Sequence, residues 1–399
     1  MRRSGAFRAG RAGGTIPAMH NFDLHNPTHL VFGKGTIAKL AKLVPANARV
    51  LLTSGGGSIK KNGVRDQVLK ALGSRTVLEF EGIEPNPEYD TLMKAVEVVR
   101  REQIDFLLSV GGGSVLDGTK FIAAAARWPA GKDPWAMIRD HGATVKEAVP
   151  LGAVLTLPAT GSEANPTAVV SRRSIGEKDH FGAPCCYPVF SILDPVTTFS
   201  LPRNQIVNGV VDTYVHVMEQ YATTLNAVPL QDRQAEGILL TLVEHAGKIL
   251  ADPPDYDARA TYMWCATQAL NGTIGSGVDH DWATHMIGHE LTALHGLDHG
   301  VTLAIILPAA LRERIEAKRA KLAHYGRRVF GVETAEAAID RTEAFFRDLG
   351  MKTRLSEHGI DGAKLAAEVE RRLTAKHAKG GERGDVDGRM AGRIVLARA

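Results

Sequence analysis

Four side chains in the second half of the chain carry the chemistry of a metal site. Asp212 and His216 lie four apart in GVVDTYVHVMEQY, and His285 and His299 lie fourteen apart in WATHMIGHELTALHGLDHG. Residues at i and i+4 project from one helix face about one turn apart, a spacing that can clasp a single ion. One carboxylate with imidazoles suits Zn²⁺ or Fe²⁺. Residues 280–299 hold His280, His285, His289, His295 and His299, five of the chain's fifteen histidines, a density that ordinary core or surface histidines explain poorly. HMIGHE is not the HExxH of a metallopeptidase, because Met286 stands where the base belongs. Spacing alone does not choose between His289 and His299 as the fourth ligand, since a helical His285–His289 pair satisfies the geometry equally well.

Far upstream, FLLSVGGGSVLDGTKFIAAAA reads as strand, glycine triplet, helix. Gly111, Gly112 and Gly113 let a backbone approach a phosphate closely, and amides at a helix start supply donors and a positive dipole end. Ser114 and Asp117 have capping-box spacing, which predicts the helix start at this point. The segment is neither GxGxxG nor a P-loop, and a plain tight turn reads the same way. A second GGGS, Gly55–Ser58, follows another strand. No acid lies between Val50 and Arg65, whereas Ser58, Lys60 and Lys61 are present. An NAD site usually offers the ribose a carboxylate, and a 2′-phosphate wants hydroxyl and basic partners, so this loop favours NADP. A third loop, LTLPATGSEANP, offers Thr156, Thr160, Gly161 and Ser162, a weaker signal because small hydroxyl residues are common in turns.

These residues need elements to position them. Strand-like runs at Val50–Thr53, Val77–Phe80, Phe106–Val110, Ala153–Leu157 and Val189–Leu193 alternate with helical patterns such as Asn62–Leu72 and Tyr89–Arg101, which predicts a parallel sheet covered on both faces. From about Pro202 long helical stretches take over: Val207–Ala222, Leu230–Leu250, Ala258–Leu270 and Asp281–Leu294. Val301–Leu307 is an apolar run closed by Pro308, either a buried helix start or a strand. The expected organisation is a head over 1–18, an α/β nucleotide-binding domain over 19–200 and an all-helical metal-binding domain over 201–399.

Composition excludes several classes. With 399 residues, 44% hydrophobic and 23% charged, the chain has the profile of a two-domain soluble protein. Its net charge of +4 comes from Arg2, Arg3, Arg8 and Arg11 in an acid-free head, so the remainder is neutral and offers no nucleic-acid surface. The head lacks an apolar stretch and does not read as a secretory signal. It reads as a tail or an upstream start ahead of Met19, with a transit peptide as the alternative. No apolar run reaches membrane-span length. Three cysteines without a CxxC pattern point to a reducing cytoplasm.

Together DTYVHVMEQY, ATHMIGHELTALHGLDHG, VGGGSVLDGTKF and LPATGSEAN resemble the iron-containing (group III) alcohol dehydrogenase family, in its NADPH-dependent aldehyde reductase and butanol dehydrogenase branch. The resemblance covers the chain from about Met19 to the C-terminus. It implies a Rossmann-like domain and a helical domain with the metal in the cleft between them, and it makes Asp212, His216, His285 and His299 the ligands. His289 becomes a neighbour of the ligands and, with a pKa near neutrality, a member of a proton relay, while His280 and His295 are bystanders. Gly111–Ser114 hold the pyrophosphate with Asp117 beside the cofactor, and Thr156, Thr160 and Ser162 line its adenosine and nicotinamide sides. Gly56 and Ser58 stand where NAD-preferring relatives place an acid, and Lys178 matches a basic position near the 2′-phosphate. The implied activity is hydride transfer from NADPH to short- and medium-chain aldehydes. A homodimer acting on a small aldehyde or alcohol is expected. The rival readings are a cyclising lyase of the dehydroquinate synthase type and a non-catalytic metal-binding protein.

Overall fold

The computed structural model describes residues 19–223 and 228–399; the head over 1–18 lies outside them. Among the described residues the first half holds eight strands: β1 His29–Phe32, β2 Arg49–Ser54, β3 Thr76–Phe80, β4 Phe106–Gly112, β5 Leu151–Leu157, β6 Thr167–Arg172, β7 Glu177–Gly182 and β8 Phe190–Leu193. Six form one sheet in the order β1-β8-β5-β4-β2-β3, and every pairing in it is parallel. The first strand closes against the last, His29 opposite Phe190. β6 and β7 form a separate antiparallel hairpin.

The helices α1 Val64–Leu72, α2 Tyr89–Arg101 and α3 Gly113–Arg127 cover this sheet. Its central strands are continuous apolar runs because both faces are buried. Val50, Leu52 and Leu108 pack with Val64 and Val68 of α1 on one face. Leu51, Leu107 and Ala153 pack with α2 and α3 on the other. The connection leaving β2 runs to β3 on one side, and the connection leaving β4 runs to β5 on the opposite side. The carboxyl ends of neighbouring β2 and β4 therefore flank the point where strand order reverses, the place where open α/β sheets bind ligands. Both GGGS segments begin there.

The second half is helical: α4 Arg203–Tyr221, α5 Pro229–Ile249, α6 Tyr256–Ala269, α7 Ala283–His295, α8 His299–Glu313, α9 Ile315–Tyr325, α10 Ala335–Asp348, α11 Gly362–Ala375 and α12 Gly388–Leu396. Every residue of α4 from Gly209 to Tyr221 is buried, so its polar members Asp212, His216 and Glu219 are core residues. Two expectations are corrected here. The run Val301–Leu307 is the buried helix start that one of its two readings has it be, but Pro308 does not close it; α8 runs through the proline to Glu313, because a helix buried on most sides recovers in packing what the missing N–H and the ring clash cost. The capping box at Ser114 does not form. Helix α3 starts at Gly113 without a side-chain cap, since Ser114 and Asp117 are engaged elsewhere.

Candidate metal centre and nucleotide cleft

Helices α4, α7 and α8 bring the metal candidates together. His216 Nδ1, His285 Nε2 and His299 Nε2 lie 3.4, 3.6 and 3.5 Å from Asp212 Oδ1. A tetrahedral ion about 2.1 Å from each ligand would separate them by about 3.4 Å. Ligand atoms of Asp212, His285 and His299 all fall within 4.8 Å of one another, and the His216 ring stacks on His285 at 4.6 Å. Asp212 Oδ1, His216 Nδ1 and His285 Nε2 are buried with no hydrogen-bond partner. Unpaired buried polar atoms are costly, and these three, with His299 Nε2 beside Asp212 Oδ1, fit a divalent ion. His289 stays outside this group, its ring 6.4 Å from that of His285 and 5.7 Å from that of His299. Between His289 and His299, which spacing leaves open, the geometry favours His299, whose Nε2 faces Asp212 Oδ1.

The electrostatics are those of a site built for a cation. Burial pushes the Asp212 carboxyl up, but His216, His299 and His285 outweigh it and hold it well below its ordinary value. Burial lowers His216 to about 4 against the pull of Asp212 and drives His299 well down, so both present free lone pairs. Burial also acts on His285, yet Glu219 and Asp212 overcome it and raise the ring to about 9, so without an ion it carries a proton on both nitrogens, and a cation at Nε2 displaces one of them. His289 departs from the near-neutral pKa expected of it: burial, then Lys178 and His285, push it well below the ordinary value. It is a neutral hydrogen-bonding group at physiological pH, not a reservoir of a proton.

Two residues near the cluster escape sequence reasoning. Glu219, buried on α4, accepts from the Thr284 backbone N–H at 2.6 Å and from His285 Nδ1; its place three residues after His216 and seven after Asp212, on the same helix face, is the available signal. Trp282 sits just before α7 with a left-handed φ of 55°, edge-on to His285 at 5.5 Å. Strained backbone of this kind clusters at functional sites. Its indole donates to His280 Nδ1 at 3.2 Å, while His280 Nε2 pairs with the Gly275 carbonyl at 2.9 Å, so His280 anchors the tryptophan. His295 is exposed at the end of α7.

The three upstream loops connect to this centre. A Cβ on Gly113 would meet Thr160 at 2.5 Å, and one on Gly112 would meet Leu157 at 2.9 Å; glycine is needed there for the close approach of the loop after β5. That loop touches α4 in turn, with Thr213 donating to the Ala159 carbonyl at 3.5 Å. Asp117 spends both oxygens internally, accepting from Ser162 Oγ at 2.6 Å and from the Val169 N–H at 2.9 Å. Lys120 grips the same loop through Ser162 and Asn165. Asp117 and Ser162 therefore brace the site from within, and Thr156 is buried at the end of β5. Gly56 and Ser58 are exposed, and nothing stands within 4 Å of a Cβ on Gly56. The loop is free of acid in sequence but not in space, since Glu81, just past β3, pairs with Lys60 at 2.6 Å.

Lys178 is placed differently from its expected position by a 2′-phosphate. It lies on β7, buried, donates to Asn86 Oδ1 at 2.8 Å, and has Asp212 and Asp117 as its electrostatic neighbours. Asn86 also donates its backbone N–H to Ser114 Oγ at 3.3 Å. The ammonium thus joins the start of α3 to the metal side of the cleft, because the β6–β7 hairpin carries it across from the GGGS loop of β2.

A switch-point cleft beside a carboxylate–histidine cluster suits a metal-dependent dehydrogenase and the cyclising-lyase reading alike. Residues 27–195 match the iron-containing alcohol dehydrogenase family and residues 206–381 match its C-terminal domain. The chain is 54% identical over 385 residues to the NADPH-dependent aldehyde reductase YqhD of Escherichia coli (strain K12), covering 95% of this chain and all of that one. It is 44% identical to NADP-dependent alcohol dehydrogenase 3 of Entamoeba histolytica, covering 86% and 90% of the two chains. A crystal structure of NADH-dependent butanol dehydrogenase A from Thermotoga maritima superposes with a TM-score of 0.90 at 34% identity, covering 96% and 99%. The chain belongs to the iron-containing alcohol dehydrogenase family. Of the three readings the sequence leaves, membership selects the oxidoreductase.

Proposed function

We propose that the protein reduces short- and medium-chain aldehydes with NADPH at a divalent metal held by Asp212, His216, His285 and His299. The observation that carries this reading is the set of buried, partnerless ligand atoms on Asp212, His216 and His285, beside the cleft at the strand-order switch. When bound, the ion supplies Lewis acidity and NADPH supplies the hydride; Zn²⁺ and Fe²⁺ suit the ligands alike. The protein's residues align and exclude. Gly111–Ser114 let the pyrophosphate meet the first amides of α3, while Asp117, Ser162, Thr156 and Thr160 keep the loop after β5 seated against that helix start. Lys178 stands as a cation between the cofactor loop and the metal ligands. Neutral His289 passes a proton between solvent and the cofactor side by hydrogen bonding. Trp282 supplies an apolar wall beside His285.

Cofactor preference is the part of this reading with the sharpest test. The relatives divide by name between NADPH, NADP and NADH. Ser58 and Lys61 remain for a 2′-phosphate, Lys60 being paired with Glu81. A charge-assisted hydrogen bond contributes roughly 1.5–3 kcal/mol, so kcat/KM should favour NADPH over NADH by about tenfold or more. The open space at Gly56 admits a carboxylate, and Gly56→Asp should shrink or reverse the preference. An NADPH-coupled aldehyde screen on protein loaded separately with zinc and iron tests the activity. Equal efficiency with both cofactors would overturn the cofactor assignment.

A cytoplasmic homodimer without nucleic-acid or membrane partners belongs to the same proposal. Among the described residues no helix is long and apolar enough to cross a membrane, and Cys185, Cys186 and Cys265 are free, which suits a reducing compartment. Sedimentation equilibrium checks the dimer.

A further inference from the structure

We propose that Glu219 is a positioning residue for the metal: it fixes the tautomer of His285 and supplies the second buried negative charge against which the ion is held. This rests on the assignment of Asp212, His216, His285 and His299 as ligands, and it concerns how tightly and in what electronic state they hold the ion.

Both oxygens of Glu219 are directed at the start of α7. Oε1 accepts from the Thr284 N–H at 2.6 Å and Oε2 from His285 Nδ1, while the Glu219 carbonyl accepts from the Asp281 N–H at 2.8 Å. A carboxylate can only accept, so Nδ1 keeps its proton whether or not an ion is bound, and Nε2, which faces Asp212 without a hydrogen-bond partner, is the nitrogen left to take the ion. Metal-bound imidazoles are ordinarily held this way, and the partner raises their basicity.

The charge count makes a separate argument. The Glu219 side chain is 2% exposed, and His285 is its one ion-pair partner among the described residues. A buried carboxylate facing a neutral imidazole is poorly compensated. Asp212 and Glu219 together balance a divalent ion bound to three neutral imidazoles, so the ion and Glu219 stabilise each other through the His285 ring. The same charge lowers the ion's net pull on an oxygen ligand. Glu219 therefore trades some Lewis acidity for retention.

A brace for the helix start would use the same atoms, and the experiment separates the two. Wild type and Glu219→Gln are loaded with Co²⁺, and three quantities are compared: the visible d–d spectrum, the rate of Co²⁺ transfer to a chromogenic chelator, and NADPH affinity by fluorescence. Glu219→Gln is expected to shift the spectrum and to speed metal loss ten- to a hundredfold, with NADPH affinity within about twofold. An unchanged spectrum and release rate would leave Glu219 as a helix brace and overturn the proposal. Independently of any variant, ¹⁵N-histidine NMR of the zinc-loaded wild type should show His285 protonated at Nδ1; protonation at Nε2 would overturn it equally. A wild type that takes up no Co²⁺ would sink the ligand assignment itself, an outcome distinct from the others.

Discussion

The molecule gathers histidine and aspartate side chains in two places, and what surrounds each decides its chemistry. Asp212, His285 and His299 converge in the cleft, and His141, Asp179 and His180 converge at the outer side of β7 with comparable spacing. In the second group the side chains of Asp179 and His180 are nearly half exposed, and His180 Nδ1 pairs with Asp179 Oδ1 at 3.0 Å. His141 Nδ1 pairs with the His180 carbonyl at 3.3 Å. In the first group the side chains of Asp212 and His285 are 4% and 11% exposed, and their facing atoms have no partner. Convergence alone is cheap in water, where each polar atom finds a hydrogen bond. Desolvation without partners is costly, and a cation explains why the fold sustains it.

The comparison can be broken at several strengths. The largest effect should come from Asp212→Asn or His285→Ala, each expected to lower aldehyde reduction by at least about a thousandfold, the equivalent of about 4 kcal/mol of barrier. Metal analysis should show loss of the ion, with NADPH binding retained. Wild-type metal content and turnover in either variant would dissolve the distinction between the two groups. His289→Ala should keep its metal and lose about ten- to a hundredfold in rate, measured as kcat at saturating NADPH.

A third test uses pH. Burial lowers Lys178 to about 8, with Asp212 and Asp117 pulling the other way, so its positive charge is present below that value and lost above it. NADPH binding should therefore weaken by about tenfold between pH 7 and 9, given roughly 1.5 kcal/mol for one charge-assisted contact, and Lys178→Met should flatten that profile. A wild-type Kd independent of pH over this range would remove Lys178 from the cofactor's surroundings. The smallest effect is expected at the exposed group. His141→Asn with His180→Gln should change metal content and kcat by less than about twofold and stability by less than about 0.5 kcal/mol. A halved metal content in that double variant would show that both groups bind.

Much of this was legible in the chain. The five strand-like runs coincide with β2, β3, β4, β5 and β8, and Tyr89–Arg101 is α2 residue for residue, because buried parallel strands are continuous apolar runs and amphipathic helices keep a 3.6 period. β1, His29–Phe32, was not among them. The β6–β7 hairpin escaped because EKDHFG is charged, and its Lys178 is buried only by packing that brings α7 against it. Glu219 and Asn86 were passed over for a related reason: their partners Thr284, His285 and Lys178 are 65 or more positions away. The GGGS motif at Gly111 announced a close approach without saying what approaches, and the structure answers with Thr160, which stands 2.5 Å from where a Cβ on Gly113 would lie.

The pairing of β1 with β8 has a consequence for how the chain is made. His29 leaves the ribosome early, but its partner Phe190 follows about 160 positions later. At roughly 5–20 residues per second, the first strand waits on the order of ten seconds or more. Until β8 arrives, β5 also presents a bare apolar edge along Leu151–Leu157, the kind of edge that recruits other chains. Newly made protein is therefore vulnerable during a defined interval of synthesis, and this half of the molecule is where a holding chaperone would act.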